Sequence, residues 1–447
     1  MVPFVACPGD TGRTRVKIRE LPPSSRVRAR PGAALLVIGV VVLAVNMRTA
    51  ITSLPPIFPE LETALHTSAA SLAVLAAIPV LCFGVFSGTG APLSRRFGEE
   101  RVLGGALVLL AAGLLLRSLS PTALLFPGTV VAGGAIALLN VLLPSLVKRR
   151  APERAGLVIG LYLLMLSIGA IVASLVAVPV FTAAGGGLTA GSAAVRISLG
   201  LWAGPAVLAA VVWLPQLRYR TLPERAMAAA ERAAVAGESG RARPVRRVGA
   251  LAMGRQALAW QVTLFMGLQS LIYYATLSWF PTMFRDRGVS AVHAGDLLAL
   301  MNLGNAVTAL VIPVLAQRAV DQRRLAVLAM LATGAGLTGA FFGPASLATG
   351  FIVLLGFGQG ATLGLGIFYT MARAPDAVSA ASLSAFAQGV GYLIASAGPL
   401  AIGFLHDVTG NWTVPGLVLL GVAAATLIVG WLAGRARLVP AADTGGG

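Results

Sequence analysis

AALLVIGVVVLAVNMRTAITSLP, residues 33–55, opens with thirteen consecutive apolar residues and carries one arginine, Arg48, inside the same run. About 20 mostly apolar residues suffice for a helix to cross a bilayer core, so this stretch predicts a membrane span with a charge inside it. Eleven further stretches read the same way: 70–91, 102–120, 122–147, 156–181, 195–215, 256–281, 291–316, 325–343, 345–371, 380–405 and 413–434. Pro121 and the short polar turn before it divide the third from the fourth. Composition agrees, since 57% of the 447 residues are hydrophobic and 11% charged, whereas a soluble domain carries about 25% charged residues. Residues 1–32 are Arg-rich and hold no apolar leader core, and read as a solvated tail. Cys7 and Cys82 are too few for a disulfide framework.

The net charge of +18 resembles that of a nucleic-acid binder until the charges are located. With residues 1–32 placed in the cytoplasm, the cytoplasmic segments hold 29 Lys and Arg residues. The opposite face holds Arg117, Arg196, Arg285 and Arg287, and Arg48 lies within the first span. That asymmetry is the positive-inside pattern and predicts both termini on the cytoplasmic side. The expected organisation is a tail over 1–32, six helices over 33–215, a nine-arginine linker over 216–255, six helices over 256–434 and a tail over 435–447.

The chain also repeats itself. Arg150-Ala151-Pro152-Glu153 recurs as Arg373-Ala374-Pro375-Asp376, offset by 223 residues. Ala173-Ser174 recurs as Ala395-Ser396, and Arg96 as Arg318, each offset by 222. Several matches at nearly one offset, six helices long, indicate a parallel duplication, the layout of the two halves of a twelve-helix transporter.

Enzyme chemistry finds no support. All sixteen acids except Asp296 lie in loops, tails or helix margins, as do His66, His293 and His406, and no Gly-rich phosphate loop follows a strand. No cofactor or metal is expected. Arg48 is the informative residue, because a lone arginine near the bilayer centre costs at least ~2.5–3.5 kcal/mol and needs a partner or a watered cavity. On a helical wheel Arg48 and Thr52 share a face, with Asn46, Thr49 and Ser53 adjoining. Two readings stand, and they do not exclude each other. Arg48 is a fixed positive charge for an anionic or strongly polar solute, or it pairs with Asp296, the single intramembrane acid at a compatible depth. Polar side chains in lipid turn inward, which adds Asn140, Gln269, Tyr273, Gln359 and Gln388 to Arg48 and Asn46 as candidate substrate contacts. Asn302 and Asn305, three apart in the eighth span, are further inward polar residues, and Trp279 reads as an interfacial anchor. Gly156 and Gly160 form a GxxxG, and five glycines between 356 and 366 crowd the tenth span. Both patterns serve close helix contact or bending.

The span from Asn46 to about Trp412 resembles the cyanate/2-nitroimidazole permease branch of the major facilitator superfamily. The segments that carry the likeness are Asn46-Met47-Arg48-Thr49-Ala50-Ile51, Ile78 through Gly84, Asn140 through Pro144 with Lys148-Arg149, and Gln269-Ser270-Leu271 through Pro281. Gly358-Gln359-Gly360-Ala361, Leu383 through Gln388, Gly403 through Asp407 and Gly410-Asn411-Trp412 continue it. The resemblance implies an all-α, twelve-helix, multi-pass carrier of the inner membrane. Such a carrier moves a small polar or anionic solute by alternating access and is expected to act as a monomer. Its partners are the solute, the lipid bilayer and a coupling ion such as the proton. Arg96 and Arg318, with Asp296, are the expected gating or coupling residues. The loop between the second and third spans departs from the superfamily pattern: Ala91 and Arg95 stand where Gly and Asp are usual, and Glu99-Glu100 replace a basic pair. A proton-coupled exporter and, from another class, a passive channel are the alternatives.

Overall fold

A computed structural model describes residues 33–186, 192–218 and 250–439. The tail over 1–32, most of the linker over 216–255 and the end of the C-terminal tail lie outside the described residues. The helices in chain order are α1 Ala33–Thr52, α2 Phe58–Leu65, α3 Ala69–Phe86, α4 Gly90–Phe97, α5 Glu99–Leu119, α6 Pro121–Arg150, α7 Ala155–Ala183, α8 Ser192–Gly200 and α9 Ala203–Trp213. Beyond the linker follow α10 Ala257–Asp286, α11 Ala291–Arg318, α12 Arg323–Phe342, α13 Ala348–Ala372, α14 Ala377–Thr409 and α15 Thr413–Ala433.

Among the described residues, eleven helices are long and apolar enough to cross a membrane. The twelfth, α10, is 30 residues long and less apolar because its Gln269, Ser270, Tyr273, Thr276 and Ser278 are buried within the protein. Ser68, Ser290 and Asp376 start α3, α11 and α14 with side-chain caps that accept backbone N–H bonds. α1 ends before Pro55-Pro56, which cannot donate backbone hydrogen bonds and instead form a short 3₁₀ turn. The sixth expected span is built of two pieces, α8 and α9, meeting at Leu201-Trp202. Short α4, with Arg95 and Arg96 in its last turn, fills a connection that read as a loop in the sequence.

The face bearing the ends of α9 and α10 that the linker joins is the linker face; the opposite one is the distal face. At the linker face the duplication becomes physical. Arg150 at the end of α6 donates to Gln216 at 2.6 Å and lies 3.9 Å from Glu100 at the start of α5. Arg373, 223 residues later at the end of α13, donates to Gln322 before α12, to Ala433 O at 2.9 Å and to Gly434 O at 3.1 Å. Each arginine ties together the ends of three helices of its half. Glu99, buried, takes Arg149 at 3.0 Å, so the acids that replace the usual basic pair are held by the basic end of α6.

The halves meet along α3 with α14 and along α7 with α11. A Cβ on Gly403 would strike the Trp279 ring and Ala73, and one on Gly295 would stand 2.7 Å from Ser174 O. Three ties between the halves close the distal face: Arg285 Nη1 meets Glu60 Oε2 at 2.7 Å, Ala70 N donates to Asp407 at 2.8 Å, and Phe58 packs edge-on against Trp279, with ring centres 5.8 Å apart. Within the C-terminal half, Trp279 donates to Pro399 O at 2.9 Å and Trp412 to Asp286 at 2.8 Å. Trp279 is 2% exposed, so it is a plug between helices and not the interfacial anchor expected of it. Among the described residues nothing stands within 4 Å of a Cβ on Gly156 or Gly160, so that GxxxG makes no helix contact with them. The glycines of α13 do: Gly356 and Gly360 press on the α11 backbone and Gly358 on α12.

Candidate functional site

On the linker side of the Gly295–Ser174 contact, between α7, α11 and α13, lies a cleft with Arg48 of α1 and Tyr273 of α10 in its wall. α11 contributes Asn302, Asn305, Ala306, Ala309 and Leu310, one stripe of the helix at three- and four-residue spacing. α7 contributes Leu163, Leu166, Ser167 and Ala170, and α13 contributes Leu363 and Ile367.

Among the described residues, Arg48 is the one charged side chain in that wall. Its guanidinium carbon lies 5.6 Å from the ring centre of Tyr273 and 6.0 Å from that of Tyr274, within cation–π reach. Its Nη1 is buried without a hydrogen-bond acceptor, and no carboxylate stands within 4 Å of it among the described residues. The expected partner, Asp296, is elsewhere. It is half exposed near the distal end of α11, 3.8 Å from His293, because it is the neighbouring Gly295 that faces α7. The Arg48–Asp296 bridge is not formed.

The polar groups around Arg48 are ordered by one another. Tyr273 donates to Asn302 Oδ1 at 2.9 Å, and Asn302 donates back to Leu298 O, which fixes its amide. Tyr162 donates to Asn140 Oδ1 at 2.8 Å. Asn305 Nδ2, in the cleft wall, is buried without an acceptor.

The other expected contacts are distributed differently. Gln359 donates to Thr276 at 2.9 Å and joins α13 to α10. Asn46 donates to Val42 O and Gln269 to Ser270 and Met266 O, local bonds that stay on their own helices. Gln388 is exposed and donates to Ser384 at 2.8 Å. Arg96 lies over the Phe97 ring at 5.2 Å, and Arg318 is exposed at the end of α11. Of the seven expected substrate contacts, Arg48 and Tyr273 line the cleft. Asn302 and Asn305 join them, and their three-residue spacing was the signal for it.

Arg117 stands in the last turn of α5 at the distal end, as its sequence position implies, but it is 1% exposed and donates through Nη1 to Ala50 O at 3.0 Å. That carbonyl belongs to the last turn of α1, where a cation complements the helix dipole. Its Nε and Nη2 are buried without acceptors. Close packing brings it there, since Gly113 and Gly128 press α5 and α6 together and a Cβ on Gly128 would stand 2.6 Å from Arg117 N.

Comparison with known proteins gives one direction. The Major Facilitator Superfamily profile matches residues 36–399. The chain is 37% identical over 404 residues to the 2-nitroimidazole transporter of Escherichia coli (strain K12), covering 90% of this chain and 95% of the relative. It is 30% identical over 400 residues to the cyanate transport protein CynX of the same organism, covering 87% and 95%. The crystal structure of a D-xylose-proton symporter superposes with a TM-score of 0.69 at 16% identity, covering 90% of this chain and 97% of that one. At that identity the likeness is one of fold.

Proposed function

Because the chain belongs to the Major Facilitator Superfamily, we propose that it is a secondary carrier. It moves a small polar or anionic organic solute, cyanate-like or nitroimidazole-like, across the inner cell membrane by alternating access. The linker face is the cytoplasmic one in this reading, following the arginine asymmetry; the ties on the distal face and the cleft on the linker side of them support an inward-facing arrangement. Arg48 supplies the charge that draws the solute in, Tyr273 and Asn302 orient it, and rocking of one half against the other carries it across. The observation that carries this reading is a half-buried cation whose Nη1 is buried and unanswered, with no carboxylate partner among the described residues, in the wall of a cleft between the halves. A proton-coupled exporter would use a membrane acid, and among the described residues no acid lines the cleft.

The test is exchange in proteoliposomes. Vesicles preloaded with unlabelled cyanate or 2-nitroimidazole are diluted into the labelled solute. A carrier gives saturable uptake accelerated by the internal load. Linear, load-independent flux marks a channel and overturns the proposal.

A further inference from the structure

The cleft is built for more than a three-atom anion. Its deep end holds Arg48, Tyr273, Asn302 and Asn305, and two of these present buried donors without acceptors, Arg48 Nη1 and Asn305 Nδ2. Two unanswered donors in one wall call for an oxyanion with at least two acceptor atoms, because a buried donor left unpaired is costly. One cation and no acid match a single negative charge; a second would enter a low-dielectric site without a counterpart.

Apart from Ser167, whose hydroxyl donates to Leu163 O on its own helix, the rest of the wall is apolar. Leu166 and Ala170 stand on one side, Ala306, Ala309 and Leu310 on another, and Leu363 on a third. From Asn302 to Leu310 the α11 stripe runs eight residues, about 12 Å towards the linker face, and its second half offers no hydrogen-bonding side chain. Such a surface is best covered by an apolar body attached to the head group, since concave, mostly apolar sites with a few placed polar groups select amphipathic ligands.

Resting on the carrier reading above, we propose that the solute is an organic monoanion with an oxyanion head on a flat, ring-sized apolar body, of which an aromatic monocarboxylate is the simplest. The head sits at Arg48 and Asn305, and the ring lies along the Ala306–Leu310 stripe against α7 and α13.

The experiment uses the purified full chain in proteoliposomes with labelled benzoate as the probe. Acetate (head without ring), cyanate, benzamide (ring without charge) and phthalate (two charges) are the competitors. Saturable benzoate uptake is expected, with acetate, cyanate, benzamide and phthalate each competing at least tenfold less well than unlabelled benzoate. Ala309→Phe narrows the apolar part and is expected to cut benzoate uptake at least tenfold. Cyanate moving saturably while benzoate neither moves nor competes overturns the ring assignment and leaves the carrier intact. Benzamide competing as well as benzoate overturns the monoanion assignment. Absence of saturable flux for benzoate, cyanate and 2-nitroimidazole alike overturns the carrier reading as well.

Discussion

Replacing Glu60 by glutamine removes the carboxylate from a pair that joins the two halves at the distal face. Glu60 Oε2 and Arg285 Nη1 are 2.7 Å apart, and their side chains are 8% and 16% exposed, so the pair is largely shielded from water. A charge-assisted hydrogen bond of this kind contributes about 1.5–3 kcal/mol. The bond exists only while the distal face is closed, so its whole value falls on the equilibrium between the two facings. At about 1.4 kcal/mol per tenfold, the distal-open population rises roughly ten- to a hundredfold. An equilibrium of about 1:99 then moves to between about 1:10 and 1:1. The assay is a spin-label distance between Thr63→Cys and Val408→Cys, both exposed at the distal face on opposite halves, in a chain whose Cys7 and Cys82 are replaced. Glu60→Gln is expected to add a long-distance population, and the swap Glu60→Arg with Arg285→Glu to return the short one. A folded Glu60→Gln protein with an unchanged distance distribution refutes the reasoning.

Gly403→Val puts a branched side chain against Trp279 and Ala73 across the interface and is expected to lengthen the same spin-label distance; an unchanged short distance contradicts it. Tyr273→Phe removes the donor to Asn302, so the half-saturation constant for uptake is expected to rise about two- to tenfold with the maximal rate within about twofold. Asp321 accepts bonds from the Arg323 side chain and backbone N–H, which hold its carboxyl below the usual range. Its contribution is therefore present above about pH 4 and is lost as pH falls through the depressed value. Asp321→Asn is expected to melt slightly earlier than wild type at pH 7, the small effect of an exposed pair, with the difference closing towards pH 3. A difference that stays constant over that range rejects the assignment.

What was legible in the sequence follows from the physics of the bilayer. Apolar run length predicted all twelve spans to within a few residues, since every backbone N–H and C=O in hydrocarbon must be satisfied within the helix. α10 was harder, because its polar face is turned into the protein and lowers its hydropathy, yet the same face brought Tyr273 to attention. Arg48 stood out because its local context, a charge within an apolar run, is itself the anomaly. Trp279 was misread, and the burial of Arg117 missed, for the opposite reason. Their burial is decided by helices far away in the chain, Pro399 for the first and the α1 carbonyl of Ala50 for the second. The Glu60–Arg285 tie spans 225 residues and leaves no local pattern at all. Asn302 and Asn305 lay between these cases. Their spacing marked an inward face, but only the parting of α7 from α11 turns that face into a cleft wall.

The central claim is that Arg48 is the charge that receives the solute, and one comparison tests it most directly. Uptake of labelled benzoate and labelled cyanate is measured in proteoliposomes holding equal amounts of folded wild type, Arg48→Lys and Arg48→Gln. The account predicts saturable uptake by wild type of at least one of the two anions, a weakened remnant in Arg48→Lys because a point charge replaces a fork, and none above empty vesicles in Arg48→Gln. Equal uptake by wild type and Arg48→Gln would contradict it and leave Arg48 a structural residue.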